Sequence, residues 1–387
     1  MSALKTGRVF MMIYLDNAAT SAKKPLKVTL KMWRETLFSS VNAGRGAHRQ
    51  SIKAIEGINK TSETLAGLLG ISDPMRIAYM PNATYAINMG MLGALKSGDH
   101  VIVTAMDHNS VLRPAAKWGN VTIVPADKNG FVEPADIENA IKPETALVVC
   151  SHVSNVCGTI QDIDKIAEIC KKYGILFMLD AAQSAGIIEI NAEKTGIDMI
   201  AFSGHKGLLG PLGTGGLYVS ENVEIEPIIT GGTGSMSESV MQPHFMPDML
   251  QSGTMNTPAI MALGTAAKIA KDNIGYTLGA ESCLAKSFTE DLMCIKNAVV
   301  YAPYANNKNG TVSFNIHGCD PAEIEEYLDR EKNIIVRAGY HCAPLAHRAL
   351  GSEKTGSVRV SFGFFSTLND KNAAIDAIYE YIKSHCT

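Results

Sequence analysis

Two strand-like runs in this sequence end in residues able to capture and use a carbonyl compound. The segment Asp198-Met-Ile-Ala-Phe-Ser-Gly-His-Lys206 closes an apolar run on Ser203, His205 and Lys206. A lysine amine at the end of a buried strand can condense with an aldehyde as a Schiff base. The run Ile175-Leu-Phe-Met-Leu ends in Asp180, and a buried carboxylate requires hydrogen bonds or a cation, for which a protonated pyridine nitrogen qualifies. Upstream, Tyr79-Met-Pro-Asn-Ala-Thr84 leads into the helical pattern Tyr85 to Leu95. Free N–H groups of a helix start, with the Thr84 hydroxyl, can hold a phosphate. Singly, each feature has a plainer reading: a solvated lysine, a helix cap or ion pair, an ordinary N-cap. Together they converge on a phosphorylated aldehyde bound by lysine, pyridoxal phosphate.

Such residues need a scaffold that gathers strand ends. Between Asn82 and Val219 short β-rich runs alternate with helical patterns: His100 to Thr104, Val121 to Pro125, Ala146 to Ser151, Ile175 to Asp180, Met199 to Ser203 and Gly215 to Val219. Asp162 to Tyr173, with Ile163, Ile166, Ala167 and Ile169 at helical spacing, lies between two of them. This is the βαβ pattern of a mostly parallel sheet, whose ligands gather at the carboxyl ends of the strands. From Gly231 to Thr257 Gly, Ser, Thr, Met and Pro replace the periodicity, which predicts a long functional or interface loop. Pro258 opens a long Ala-rich helix to about Lys296. The remainder reads as strand 311–316, helix 321–330, strand 333–337, strand 357–362 and helix 370–384, an α+β unit.

Composition narrows the function classes. Of 387 residues 46% are hydrophobic and 19% charged, against about 25% charged in an ordinary domain, so a large core is available. Lys and Arg total 35 against 38 Asp and Glu, and a net charge of -3 gives no general drive toward nucleic acid or an anionic membrane. No apolar run reaches the length of a membrane span. Lys5 and Arg8 before Val9–Leu15 resemble the start of a signal peptide, but Asp16 and Asn17 close the run, which reads equally as a strand. Residues 1–11 are a candidate N-terminal extension. The glycines at 210, 213, 215 and 216 do not form G-x-G-x-x-G, and no phosphate-loop or zinc-protease motif occurs. The eight cysteines contain no C-x-x-C pair, so they suggest a reducing, cytoplasmic compartment with mostly buried thiols. His341, Cys342 and His347 crowd one loop without a fourth ligand, and no metal site is assigned.

The chain also resembles, over nearly its whole length, the class V aminotransferase fold family. Within it the chain is similar to cysteine desulfurases of the Suf type (group II) and to selenocysteine lyases. The resemblance rests on Tyr14-Leu-Asp-Asn-Ala-Ala19, Asn42-Ala-Gly-Arg-Gly-Ala-His48, Ser151-His-Val-Ser-Asn155, Asp180-Ala-Ala-Gln183, Ser203-Gly-His-Lys206 and Arg337-Ala-Gly-Tyr-His-Cys342. It implies a fold-type I pyridoxal-phosphate transferase: an α/β large domain over 24–257 with a mostly parallel mixed sheet, and a smaller α+β domain over 258–387 carrying the catalytic Cys loop. Residues 12–23 would pack with the small domain.

The resemblance assigns Lys206 the covalent bond to the cofactor and proton transfer, Asp180 the ring nitrogen, and Gln183 the ring hydroxyl. His108 would stack on the ring and assist proton transfer. Ala83, Thr84, Ser203 and His205 would hold the phosphate, with more reliance on backbone N–H groups because Ala83 lacks the hydroxyl common in relatives. Thr254 would reach the partner's phosphate in a homodimer with shared active sites. Arg359 and Asn155 would hold the substrate carboxylate, Asn155 also touching the ring. Cys342 would be the nucleophile. The implied reaction converts L-cysteine to L-alanine and passes sulfur, as a persulfide on Cys342, to a sulfur-acceptor protein, with iron-sulfur cluster assembly as one destination. The alternatives are a selenocysteine lyase acting on L-selenocysteine, and an aminotransferase or C–S lyase in which Cys342 is not essential. A catalytically idle docking partner is disfavoured by the joint presence of Lys206, Asp180, His108 and Cys342.

Overall fold

Strands buried on both faces must be apolar throughout, and the runs singled out above form such a sheet. In this computed structural model, which describes residues 12–43, 46, 48–305 and 307–385, seven strands lie in the order Ile77–Met80, Gly215–Val219, Met199–Ser203, Leu176–Asp180, Thr145–Ser151, His100–Thr104, Val121–Val124. Residues 1–11 and the centre of the Asn42-to-His48 motif lie outside the described residues. Only Gly215–Val219 runs antiparallel to its neighbours; the pairs from Met199–Ser203 to Val121–Val124 are parallel. Side chains alternate between two cores. Ile102, Val148, Phe177, Leu179 and Ile200 meet Leu65, Leu69, Ile166 and Cys170 on one face. Val101, Val103, Leu147, Val149 and Met199 meet Ala86, Ile87, Met91 and Val111 on the other.

A second, four-stranded antiparallel sheet has the order Arg337–Gly339, Ser357–Ser361, Thr311–Ile316, Ala298–Tyr301. Helices Pro321–Lys332 and Leu368–His385 cover it around Phe288, Phe314, Leu328, Phe362 and Ile378. The expected strand 333–337 is two strands. Ile334–Ile335 pairs in parallel with Ile13–Tyr14 of the N-terminal segment, whereas Arg337–Gly339 turns into the sheet. The 37-residue helix Thr257–Met293 joins the units: Ala262 and Ala266 pack on Val28, and Ala285, Phe288 and Leu292 enter the second core. Its start is set by Asn256, whose side chain accepts the Ala259 N–H, and by Pro258 in the first turn. The segment 231–256 holds one 3-10 turn, Asp248–Leu250. No described helix is long and apolar enough to cross a membrane.

Candidate active site

The carboxyl ends of parallel strands and the helix starts that follow them enclose a cavity of about 270 Å³. Ala83, Thr84, His108, Asn155, Asp180, Gln183, Ser203, His205 and Lys206 line it. Cys342, Thr254 and Arg359 do not. Lys206 owes its position to the turn after Met199–Ser203: Gly204 donates its N–H to the Thr214 carbonyl at 2.7 Å, and a Cβ there would stand 2.2 Å from Thr214 Oγ1. Only glycine fits. The N-terminal segment braces the same turn, with Ser21 N–H and Lys24 Nζ both donating to the His205 carbonyl, at 3.0 and 2.9 Å.

Protonation in the cavity follows from desolvation. Burial lowers Lys206 to about 8, with Asp180 opposing the shift and Arg359 and Arg337 adding to it. Its Nζ makes no hydrogen bond or ion pair among the described residues. Asp180 is raised by burial; the Ala182 N–H at 2.9 Å, the Lys206 charge and the Ser151 hydroxyl at 3.5 Å act the other way. It has no cation in ion-pair reach among the described residues. Burial, and then the Lys206 charge, bring His108 down to about 4. Its Nδ1 accepts the Ser110 N–H at 3.0 Å, which puts the proton of the neutral ring on Nε2.

These features fit pyridoxal phosphate. The unpartnered Lys206 amine suits the aldehyde, and the unpaired buried Asp180 suits the ring nitrogen. Gln183 spends one amide hydrogen on the Ala18 carbonyl at 2.9 Å and keeps the other for the cavity. At the start of helix Ala83–Ala94, Ser203 Oγ accepts the Ala83 N–H at 3.0 Å and Asn82 accepts that of Tyr85 at 3.3 Å. The Thr84 N–H is left without a partner among the described residues, beside the Ser203 hydroxyl proton and His205. That corner can hold a phosphate. Thr254 is exposed and away from its own chain's cavity.

Cys342 stands at the rim. It is exposed, and both it and His341 adopt left-handed backbone, φ +58 and +48, which costs an L-residue about 1–2 kcal/mol. Three bonds hold that loop: the Asn109 N–H donates to the Cys342 carbonyl at 2.8 Å, Asn155 Nδ2 to the His341 carbonyl at 2.7 Å, and His341 Nε2 meets the Ser357 carbonyl at 3.1 Å. Asn109 follows His108, so the thiol loop rests on the cavity wall. Asn155 lines the cavity while its amide is committed to this loop and its carbonyl accepts from Arg359 Nη1 at 3.0 Å. Arg359 is buried in the middle of its sheet and ion-paired with Asp16 at 2.5 Å.

Two contributors went unnoticed in the sequence. Asp107 is wholly buried and accepts the N–H groups of Thr104 and Ser151 at 2.6 and 2.7 Å, tying two strand ends under His108; burial raises it to about 6. Its place in Asp107-His-Asn-Ser110 was the available signal. Asp16 lies in the Tyr14-to-Ala19 motif, but its pairing could not be read there, since its partner is 343 residues away. No described cluster of three or more His, Cys, Asp or Glu could hold a metal. The expectation of mostly buried thiols fails at Cys283 and Cys294, which are exposed, and Cys319 is disulfide-bonded.

Comparison with known proteins adds the following. Residues 13–373 match the family "Aminotransferase class-V". A probable cysteine desulfurase of Methanothermobacter thermautotrophicus is 34% identical over 92% of this chain and 91% of its own length. The cysteine desulfurase IscS of Pseudomonas entomophila is 32% identical over 95% and 91%. The apo cysteine desulfurase of Thermococcus onnurineus NA1 superposes with a TM-score of 0.90 at 31% identity, covering 96% of this chain and 95% of that one.

Proposed function

The chain belongs to the class-V aminotransferase family and is a pyridoxal-phosphate-dependent cysteine desulfurase, and from that premise we propose that it carries sulfur as a persulfide on Cys342 and delivers it to an acceptor protein. Lys206, Asp180, Gln183 and His108 would hold the aldehyde, ring nitrogen, ring hydroxyl and ring face; the Ala83–Thr84 helix start, Ser203 and His205 would hold the phosphate. When bound, the cofactor supplies a ring that withdraws electrons and so makes the α-proton of an amino acid acidic.

The chain's own groups do the rest. Lys206 Nζ, lowered to about 8, can exchange a proton near neutral pH. Arg359, with Asn155 against it, would fix the substrate carboxylate and so point the C–S bond toward the rim. Cys342 Sγ, as thiolate, attacks the substrate sulfur; an S–S bond forms as the Cβ–S bond breaks, and the electron pair left on Cβ takes a proton, giving alanine. The exposure of Cys342 lets an acceptor thiol remove the outer sulfur. Homodimer formation is supported by helix Leu26–Phe38, where Leu26, Leu30, Trp33, Leu37 and Phe38 are each more than half exposed, and by Thr254, exposed for a partner's phosphate. A cytoplasmic setting suits a thiol that must stay reduced.

The observation that carries the Cys342 assignment is the docking of its loop on the cavity wall through the Asn109 N–H. The test is alanine and sulfide release from L-cysteine by wild type and Cys342→Ala, with mass spectrometry of the enzyme after one turnover. Alanine formation should fall at least about a hundredfold, and only the wild type should gain one sulfur atom at Cys342. Unchanged alanine formation in the variant would overturn the assignment. L-selenocysteine in the same assay decides which chalcogen the site prefers.

A further inference from the structure

The proposed carboxylate clamp already has an occupant. Arg359 is 1% exposed; its Nη2 donates to Asp16 Oδ1 at 2.5 Å and its Nη1 to the Asn155 carbonyl at 3.0 Å, while its Nε has no partner. That pairing is incomplete. A carboxylate meets a guanidinium best through two parallel N–H···O bonds, and Asp16 makes one. The buried Nε–H is left without a partner, a desolvation cost that a ligand carboxylate spanning Nε and Nη2 would recover.

A second cation is ready for the displaced Asp16. Arg337 stands directly opposite Arg359 across the antiparallel pair, where Cβ atoms are about 4.5–5.5 Å apart. Its guanidinium makes no hydrogen bond or ion pair among the described residues. Directly opposite residues share a face of the sheet, so Arg337 lies on the side where Arg359 meets Asp16. The Asp16 side chain is 14% exposed and follows the two-residue strand Ile13–Tyr14. Its backbone is pinned by the Tyr14 hydroxyl, which donates to the Asp16 carbonyl at 3.2 Å and the Thr20 carbonyl at 3.0 Å, so the side chain can turn while the segment stays in place.

We propose that Asp16 is a resident carboxylate that holds Arg359 until the α-carboxylate of the substrate replaces it, and that Arg337 receives Asp16 on release. This rests on Arg359 being the clamp, as proposed above. Each guanidinium then faces a carboxylate after the exchange, and before it only Arg337, the more accessible of the two, goes without. An amine lacking a carboxylate cannot drive the exchange and leaves Asp16 in place. Asp16 thereby makes the site selective for amino acids over amines.

The test is equilibrium binding of L-alanine and of L-alaninamide to the pyridoxal-phosphate holoenzyme, followed by the absorbance of the bound cofactor, in wild type, Asp16→Asn, Arg337→Gln and the double variant. The quantity read is the ratio of the two dissociation constants, amide over acid, in which general damage cancels. Asp16→Asn should raise the ratio roughly fivefold by tightening L-alanine alone, Arg337→Gln should lower it by a similar factor, and Arg337→Gln should change nothing once Asp16 is replaced. An unchanged or lowered ratio in Asp16→Asn, or an unchanged one in Arg337→Gln, overturns the proposal, as does a wild-type ratio near one. If Asp16→Asn fails to hold the cofactor, Arg337→Gln decides alone, a lowered ratio supporting the exchange and an unchanged one overturning it. Wild type that binds L-alanine selectively yet forms no alanine from cysteine would instead overturn the desulfurase reading and leave the exchange standing.

Discussion

Asp180→Asn isolates the one property of Asp180 that the cofactor needs. The Ala182 N–H bonds Oδ1 at 2.9 Å and the Ser151 hydroxyl approaches Oδ2 at 3.5 Å. Asn can keep the first contact through its oxygen and make the second through its amide, so shape and hydrogen bonding survive and only the charge is lost. In the cofactor-free protein that charge is a liability: burial raises Asp180, and no cation among the described residues pairs with it. The apo variant should melt at or above the wild-type temperature. With cofactor the sign reverses, because a buried charge pair that loses one partner forfeits about 3–5 kcal/mol, which is roughly 150- to 5,000-fold in affinity. Titration of apo protein with pyridoxal phosphate by fluorescence, with melting curves in both states, reads both halves. Affinity within threefold of wild type would refute the assignment of Asp180 to the ring nitrogen. A lower apo melting temperature would refute the claim that the charge is unpaired.

Other outcomes follow from the same structure. Glu281 is buried and its carboxyl is raised to about 8, with burial as the sole cause. Between about pH 4.5 and 8 the unfolded chain loses that proton and the native one keeps it, so stability falls as pH rises across that window. Glu281→Gln should therefore gain little at pH 4.5 and up to about 4 kcal/mol at pH 7.5; a pH-independent difference in melting temperature would refute this. If helix Leu26–Phe38 faces a second copy, Trp33→Glu should shift sedimentation from dimer to monomer and, through the loss of Thr254 from the shared site, weaken cofactor binding. A dimer unaffected by that charge would move the interface elsewhere.

The sheet was legible because its physics is local. A strand covered on both faces has to be apolar along its length, and each of the six runs expected between His100 and Val219 is a strand within a residue or two. Asp180 and Lys206 stood out for the same reason, as polar residues closing such runs. Exposed or amphipathic elements carry weaker local signals: the edge strand Ile77–Met80 was not separated from the motif around it, and helix Leu26–Phe38 presents apolar residues to its outer side. The break at Val336 was illegible because it depends on a partner: Ile334–Ile335 is claimed by Ile13–Tyr14, more than three hundred residues earlier.

Contacts that decide chemistry here are mostly of this long-range kind, so motifs named the residues but not the protein groups that hold them. Asn155 was expected against the ring and the substrate carboxylate. It lines the cavity, and its amide also holds the His341 carbonyl, 186 residues away, while its carbonyl holds Arg359. One side chain and its backbone thus connect the strand-end cavity, the strained Cys342 loop and the arginine of the second sheet. The N-terminal segment makes a parallel connection: Asp16 reaches Arg359, Ala18 bonds both Ser361 Oγ and Gln183, and Ser21 holds the Lys206 turn. Two left-handed residues at His341 and Cys342 persist only if their surroundings over-determine them, and the bonds from Asn109, Asn155 and Ser357 are those surroundings. Asn155 is the residue shared between the two, holding the thiol loop through its side chain and Arg359 through its backbone carbonyl, so displacing the guanidinium acts on the residue that holds the Cys342 loop.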